Sequence, residues 1–250
     1  MIVLRKPIEI VVASGKGGTG KTTVSSFLIT FLSRKGFHVV GVDADVEAPD
    51  LSIALGEYRE ISREEIIDSY IAVIDHERCI RCGECLNVCQ FGAIDWVEKP
   101  IIIRELCEGC LACSYVCPQD AIGKEKVKTG DIIIGETKYC QIITGELELG
   151  RKHSGKLVEI LKERARKLGG DYIVVDAAAG TGCPVISSIV GSDFVVLVVE
   201  PTKYSLRTAG KIIDMVKSFD IATGLVINKY DMNVEFIDYV KSWAKSHGLQ

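Results

Sequence analysis

A chain of 250 residues is long enough to bury one large core and leave room for a small second unit. Its net charge of −4 at pH 7 provides no global basic field, so bulk electrostatics give no reason to expect nucleic acid as a partner. Although 47% of the residues are hydrophobic, no apolar run approaches the ~20 residues needed to cross a membrane. Met1-Ile2-Val3-Leu4-Arg5-Lys6-Pro7 lacks the charged-then-apolar order of a signal peptide. The expectation is a cytoplasmic protein with no membrane partner, whose ten cysteines need a metal or redox explanation rather than a disulfide framework.

In chain order, residues 8–13 predict a strand, 21–35 a helix closing at Gly36, and 37–42 a second strand ending in Asp43-Ala44-Asp45. Between the first strand and the helix lies Gly15-Lys16-Gly17-Gly18-Thr19-Gly20-Lys21-Thr22, followed by Thr23. This is the strand–G-x-x-x-x-G-K-[ST]–helix context of a P-loop. Successive backbone N–H groups of such a turn form a concavity for phosphate oxygens, and the helix N-terminus adds partial positive charge. Lys21 would reach the β- and γ-phosphates, and the Thr22 hydroxyl would serve Mg²⁺. Gly15, Gly17 and Gly20 also fit G-x-G-x-x-G, with Asp43 as a ribose ligand. A dinucleotide site, however, has no use for Lys21-Thr22 beside the phosphate.

Residues 46–58 read as loop and short helix with Pro49 as a breaker. Residues 62–68 read as a helix, with Ser62 and Glu65 forming a capping box. Eight of the ten cysteines then fall between Cys79 and Cys117, and their spacing repeats: 107−79, 110−82, 113−85 and 117−89 all equal 28. Ala93-Ile94 is echoed by Ala121-Ile122, the mark of a duplicated supersecondary unit. Residues 127–150 suggest a hairpin or meander, and 154–168 a helix ended by Gly169-Gly170. Strands follow at 172–176, 194–200 and 225–228, with helices near 184–190, 204–219 and 233–246. Such alternation implies right-handed crossovers and a mostly parallel α/β sheet. The expected domains are 1–72 and 124–250 for the P-loop unit, with 73–123 inserted between them.

Cys79-x2-Cys82-x2-Cys85-x3-Cys89 and Cys107-x2-Cys110-x2-Cys113-x3-Cys117-Pro118 repeat the spacing of bacterial two-cluster ferredoxins. There the fourth cysteine of each run ligates the other cluster. One [4Fe-4S] set is therefore Cys79, Cys82, Cys85 and Cys117, and the other Cys107, Cys110, Cys113 and Cys89. Gly83 and Gly109 leave backbone N–H groups free to approach the sulfurs. C-x2-C pairs also suit structural zinc, but zinc takes four ligands from two pairs and needs no crossed eight-cysteine repeat. Gln90 follows Cys89 where the pattern usually has proline; no ligand is lost by it.

Lys16 makes the loop the deviant form K-G-G-x-G-K-T. Here the chain resembles the MinD/ParA/Mrp family of P-loop ATPases, to which the nitrogenase iron protein belongs. With its insert it resembles the MinD-superfamily ATPases that carry a ferredoxin domain. The resemblance implies ATP and Mg²⁺ as cofactors and a homodimer closed around nucleotide, with Lys16 reaching the phosphates of the partner subunit's nucleotide. Asp45, at a strand's C-terminal edge, would orient the attacking water, with Asp43 supporting it. Tyr172-Ile173-Val174-Val175-Asp176 is a Walker B pattern, with Asp176 holding Mg²⁺ through water. Gly180 would offer its N–H to the γ-phosphate, after Ala177-Ala178-Ala179 where the family often has prolines. Asn228-Lys229 matches the adenine-edge position, and Glu200-Pro201-Thr202 the adenosine-flanking loop. The sequence ends about where the family would begin its last strand, so the base pocket is expected to be completed differently or the chain to be shorter.

Cys140 and Cys183 lie outside the repeat. In the nitrogenase iron protein a cysteine just past the equivalent switch helps hold a cluster shared across the dimer. By that resemblance Cys183, with Cys140 as the second ligand, would supply one further cluster bridging the subunits; the other reading is that both are buried small hydrophobes. Two functions remain open. One is an ATPase coupled to electron transfer towards a redox partner; the other is an ATP-dependent carrier delivering a cluster to apo iron–sulfur proteins, as in the Mrp branch. A positioning ATPase would need a membrane helix or DNA surface. The apolar face Val234, Phe236, Ile237, Val240 and Trp243 reads instead as packing on the sheet.

Overall fold

The computed structural model describes residues 6–249, so the expectation for Met1–Arg5 at the head of the chain, and Gln250, lie outside the described residues. The chain divides into two compact units: residues 1–64, 132–146 and 154–250, and residues 65–131 with 147–153. The second is wider than the 73–123 segment read from the cysteines.

The chain begins with β1 (Ile8–Ser14), α1 (Lys21–Arg34), β2 (Val39–Ala44), α2 (Leu51–Leu55) and β3 (Tyr58–Ile66). Next come β4 (Ser69–Ile74), α3 (Glu84–Val88), β5 (Ile94–Trp96), β6 (Pro100–Ile102), α4 (Ala112–Tyr115) and β7 (Ile122–Val127). It returns through β8 (Gly130–Thr137), β9 (Gln141–Leu147), α5 (Ser154–Leu168), β10 (Tyr172–Ala179) and α6 (Cys183–Ile189). It finishes with β11 (Phe194–Val199), α7 (Lys203–Ser218), β12 (Ala222–Ile227), a 3₁₀ segment (Tyr230–Phe236) and α8 (Ile237–Ser246).

The main sheet has eight strands in the order β12-β11-β1-β10-β2-β9-β8-β3. The pairs from β12 through to β9 are all parallel. Val11, Val12, Ile173, Val174, Val175, Val195 and Leu197 are buried, as strands covered on both faces require. α5 forms where the sequence places it, because Leu157, Val158, Leu161 and Ala165 recur on one buried stripe. A buried charge network fastens that helix. Lys162 Nζ pairs with Glu9 Oε1 of β1 at 2.8 Å and donates to the carbonyls of Ser187 (3.0 Å) and Val190 (2.7 Å) beyond it. Arg166 Nη2 takes the other Glu9 oxygen at 2.8 Å.

Three elements depart from the sequence reading. Residues 62–68 form no helix: β3 runs to Ile66 as the sheet's edge strand. Its exposed side chains reach β8 and β9, Arg59 Nε meeting Glu136 (3.0 Å) and Arg63 Nη1 meeting Glu146 (2.8 Å), so non-local pairing overrides the local capping pattern. β10 continues through Ala179 instead of stopping at Asp176, and its register with β1 slips by one residue between Val12↔Asp176 and Ser14↔Ala179. The last helix begins as a 3₁₀ segment broken at Asn233, whose φ of −157° is not helical.

In the second unit, β4 and β7 pair antiparallel from Ser69↔Val127 to Ile74↔Ile122, and β5 pairs with β6. The 28-residue repeat extends to the backbone. Within the repeat the positive-φ residues come in pairs, Arg81 (59°) with Gly109 (63°), Gly83 (82°) with Leu111 (59°), and Gly92 (61°) with Asp120 (45°). Asp75 N–H donates to Ala121 O at 2.8 Å, and the mirrored bond runs from Ile103 N–H to Ala93 O at 2.8 Å. Among the described residues no helix is long and apolar enough to cross a membrane.

Candidate functional site

The Gly-rich loop joins β1 to α1, and distant residues hold it. A Cβ on Gly15 would collide with Thr208 of α7, and one on Gly20 (φ 89°) with the Asn228 amide. Asn228 Nδ2 donates to Thr19 O at 2.8 Å and Lys229 Nζ to Gly18 O at 2.6 Å. Lys229 also pairs with buried Glu200 at 2.7 Å, and Lys16 takes the other Glu200 oxygen. Burial pushes the Glu200 carboxyl up, but the two lysines outweigh it and hold it below its ordinary value. Lys21 is buried, and among the described residues its ammonium has no hydrogen-bond or ion-pair partner, while its carbonyl accepts from Ser25 Oγ at 3.1 Å.

Four carboxylates gather beside Lys21. Asp176 is buried and accepts from Ser25 Oγ (2.8 Å) and Thr22 Oγ1 (2.6 Å), and Thr22 also lies 3.0 Å from Asp50 Oδ1. Asp43 stands opposite Asp176 in the parallel register, where it accepts from the N–H groups of Leu51 (2.8 Å) and Asp45 (3.2 Å). Burial, helped by the Asp176 and Asp50 charges and opposed by those N–H groups, pushes Asp43 up to about 8. Burial also raises Asp176 and Asp45, while Lys21 pulls both down. The Asp176 and Asp50 carboxyl oxygens beside the Thr22 hydroxyl are the hard oxygen donors that a divalent cation takes. Asp45 lines a cavity of about 250 Å³ with Glu47, Ser154, Ala178, Ala179 and Pro184. The Gly180 N–H donates to Ser14 O at 3.0 Å.

Thr22, Lys21, Asp43, Asp45 and Asp176 are thus brought to one edge of the sheet. Asp50 and Ser25 escaped the sequence reading. Asp50 follows the breaker Pro49; its carboxylate makes no cap bond on α2 and turns to Thr22.

In the second unit the cysteines sort into two cavities. One is lined by Cys79, Cys82, Cys85 and Cys117 together with Ile74, Pro100 and Pro118. The other is lined by Cys89, Cys107, Cys110 and Cys113 together with Phe91, Ile94 and Ile102. All eight are free thiols. Backbone N–H groups meet their sulfurs, Ala121 on Cys117 (3.2 Å), Ala93 on Cys89 (3.4 Å) and Ala72 on Cys107 (3.4 Å). Burial and the neighbouring thiols raise Cys85, and push Cys113 up to about 11. No group of three or more His, Cys, Asp or Glu among the described residues closes on a single metal ion. Four thiols lining each cavity are a donor set of the kind that a [4Fe-4S] cluster takes.

Cys140 and Cys183 are not brought together. Cys140 is buried in the core among Val39, Ile29 and Ile142, at the end of the sheet where Gln141 pairs with Val40. Cys183 is exposed and opens α6, beyond the far end of β10. Strands rise ~3.3 Å per residue, so the length of β10 separates the two. One bridging cluster held by both is therefore corrected: Cys140 is a core residue, its thiol raised by burial.

Sheet order, loop and carboxylates define a P-loop nucleotide-binding protein of the α/β class. Residues 10–246 match the CobQ/CobB/MinD/ParA nucleotide-binding domain, and the chain belongs to that family. It is 38% identical over 227 residues to an uncharacterised protein of Methanocaldococcus jannaschii, MJ0578, covering 90% of this chain and 79% of that one. An iron-sulfur cluster carrier protein of Pyrococcus abyssi is 24% identical across 85% of this chain and 58% of its own length. The polyferredoxin protein MvhB of Methanothermus fervidus is 42% identical over 55 residues, 22% of this chain and 13% of that protein.

Proposed function

We propose that the chain is a Mg-dependent ATPase whose homodimer switch is coupled to electron transfer through two [4Fe-4S] clusters in an inserted ferredoxin domain. The observation that carries this is the sorting of eight free thiols into two apolar cavities of four, each set crossing the repeat as in two-cluster ferredoxins. Bound there, the clusters would supply one-electron chemistry at low potential. Similarity to a polyferredoxin supports the insert.

In the nucleotide unit, Gly15 to Thr23 cradle the phosphates. Unpaired Lys21 neutralises them, and Thr22 with Asp176 holds Mg²⁺. Asp45, whose carboxyl burial raises, accepts a hydrogen bond from the attacking water, with Asp43 fixing its backbone. Asn228 meets the base edge. Lys16 leaves Glu200 to reach the partner subunit's nucleotide, and Gly180 exchanges Ser14 O for a phosphate oxygen. Both are one-for-one exchanges of partner, which suits a switch.

The alternative is an ATP-dependent carrier that hands a cluster to an apo iron–sulfur protein. Similarity to the Pyrococcus abyssi carrier and the exposed thiol of Cys183 favour it. Anaerobic protein incubated with Mg-ATP and an apo-ferredoxin, then separated by size, distinguishes the two. Coupled electron transfer predicts iron retained on the chain while ATP accelerates reduction of a dye. Iron moving to the acceptor only with hydrolysable ATP would replace it with the carrier.

A further inference from the structure

Leu147–His153 connects β9 to α5, two elements of the nucleotide-binding unit, yet it is compact with residues 65–131. Glu148 N–H donates to Thr129 O at 3.0 Å, and its carboxylate meets Lys128 at 3.3 Å. Arg151 Nη1 donates to Arg104 O at 3.3 Å. Lys152 Nζ pairs with Glu108 Oε1 at 2.9 Å, and His153 Nε2 lies 3.2 Å from Glu108 O. Glu108 stands between Cys107 and Cys110 and lines the second cysteine cavity, its side chain only 16% exposed.

The residues that flank this segment belong to the nucleotide-binding unit and stand beside its carboxylate cluster. Thr144, three residues before it, stands opposite Asp43 in the β2–β9 register. A Cβ on Gly145 would lie 2.7 Å from Val46, so β9 runs hard against the residue that follows Asp45. Ser154, immediately after the segment, is buried and lines the cavity shared by Asp45, Ala178 and Ala179. A shift of the Asp45 loop or of the Ala178-Ala179 segment therefore bears on the roots of a seven-residue strap (147 to 153) whose middle is fastened to a cysteine loop.

We propose that Leu147–His153 couples nucleotide state to one cluster only, the one held by Cys107, Cys110, Cys113 and Cys89, with Lys152 and His153 as positioning residues acting through Glu108. This rests on the function proposed above. Lys152 neutralises the Glu108 carboxylate; pulled away, it leaves an uncompensated negative charge beside the cysteine loop, which favours the oxidised form and lowers the potential. The first cluster has no counterpart, because the residue 28 positions before Glu108 is Ile80, which has no charge to unmask.

The test is an EPR-monitored redox titration of the full chain, with Mg-ADP and with a non-hydrolysable ATP analogue. Lys152→Met and Glu108→Gln are titrated beside the wild type. The wild type is expected to show two midpoints, of which nucleotide moves one. Lys152→Met is expected to hold that midpoint low and Glu108→Gln to hold it high. In both variants the nucleotide shift should be lost while iron content and ATP hydrolysis are kept. A shift common to both clusters, or one that persists in the two variants, overturns the strap. Wild-type protein lacking sulfide-bound iron or ATP hydrolysis would instead overturn the underlying function.

Discussion

In the nucleotide-binding unit, Val11, Val12, Ala13, Val40, Val42, Val174, Val175 and Leu197 have no exposed surface, and helices cover the strands that carry them. In the cysteine-bearing unit, the buried cluster is Ala72, Cys85, Ile94, Cys113 and Ile122, and two of those five are prospective iron ligands. A fully buried Val, Leu or Ile contributes about 1.5–3 kcal/mol, so the first unit has a fold of its own. The second has too few such residues, and its strained positive-φ turns at Arg81, Leu111 and Asp120 need something else to hold them. Under the proposed function, one unit is folded by its core and the other by what its thiols would bind.

The largest expected effect breaks the comparison at that point. Removing iron with an oxidant and chelator should abolish amide protection across residues 69–127 while the β1, β2, β10 and β11 amides stay protected. Hydrogen exchange followed by mass spectrometry reads both at once. Uniform loss would mean that the units stand or fall together.

Lys21→Ala sharpens the division from the other side. Loss of the one unpaired ammonium in the loop should lower ATP hydrolysis by about 10²–10³-fold, leaving iron content unchanged. Phosphate release and iron assay on one preparation check it.

Lys162→Met should then cost about 3 kcal/mol, because Glu9 stays buried with only Arg166 to neutralise it. Urea denaturation should show that loss in the transition of the nucleotide-binding unit, with the iron absorbance untouched.

The smallest effect concerns Glu200. Its folded carboxyl titrates below its ordinary 4.5, so its pairing with Lys16 and Lys229 stabilises above that value and is lost as pH falls through the folded pKa. Glu200→Gln should cost about 1 kcal/mol at neutral pH, a difference that closes below pH ~4.5. Paired denaturation curves from pH 7 to pH 4 measure it.

Local chemistry made much of this legible. The spacing of Leu157, Leu161 and Ala165 placed α5 correctly from Ser154 to Leu168. The 28-residue spacing grouped three thiols of each run as the two cavities do, because each three lie in one short loop, while the exchange of Cys89 and Cys117 between the sets is non-local and was read from the two-cluster pattern. What stayed hidden depends on partners far along the chain. Ser62 and Glu65 look like a helix cap, but Arg63 reaches Glu146, so the segment is a strand. Asp50 gained its place only when Thr22 of a different element arrived beside it. Cys140 looked like a spare ligand because a sequence does not say which end of a sheet a residue occupies.

Iron and acid-labile sulfide per chain, measured on anaerobically purified protein together with the EPR spectrum of the reduced form, test the central claim most directly. The account predicts about eight of each and the spectrum of two interacting [4Fe-4S]⁺ centres. About two zinc ions per chain with no sulfide would contradict it and leave a P-loop ATPase with a structural metal unit.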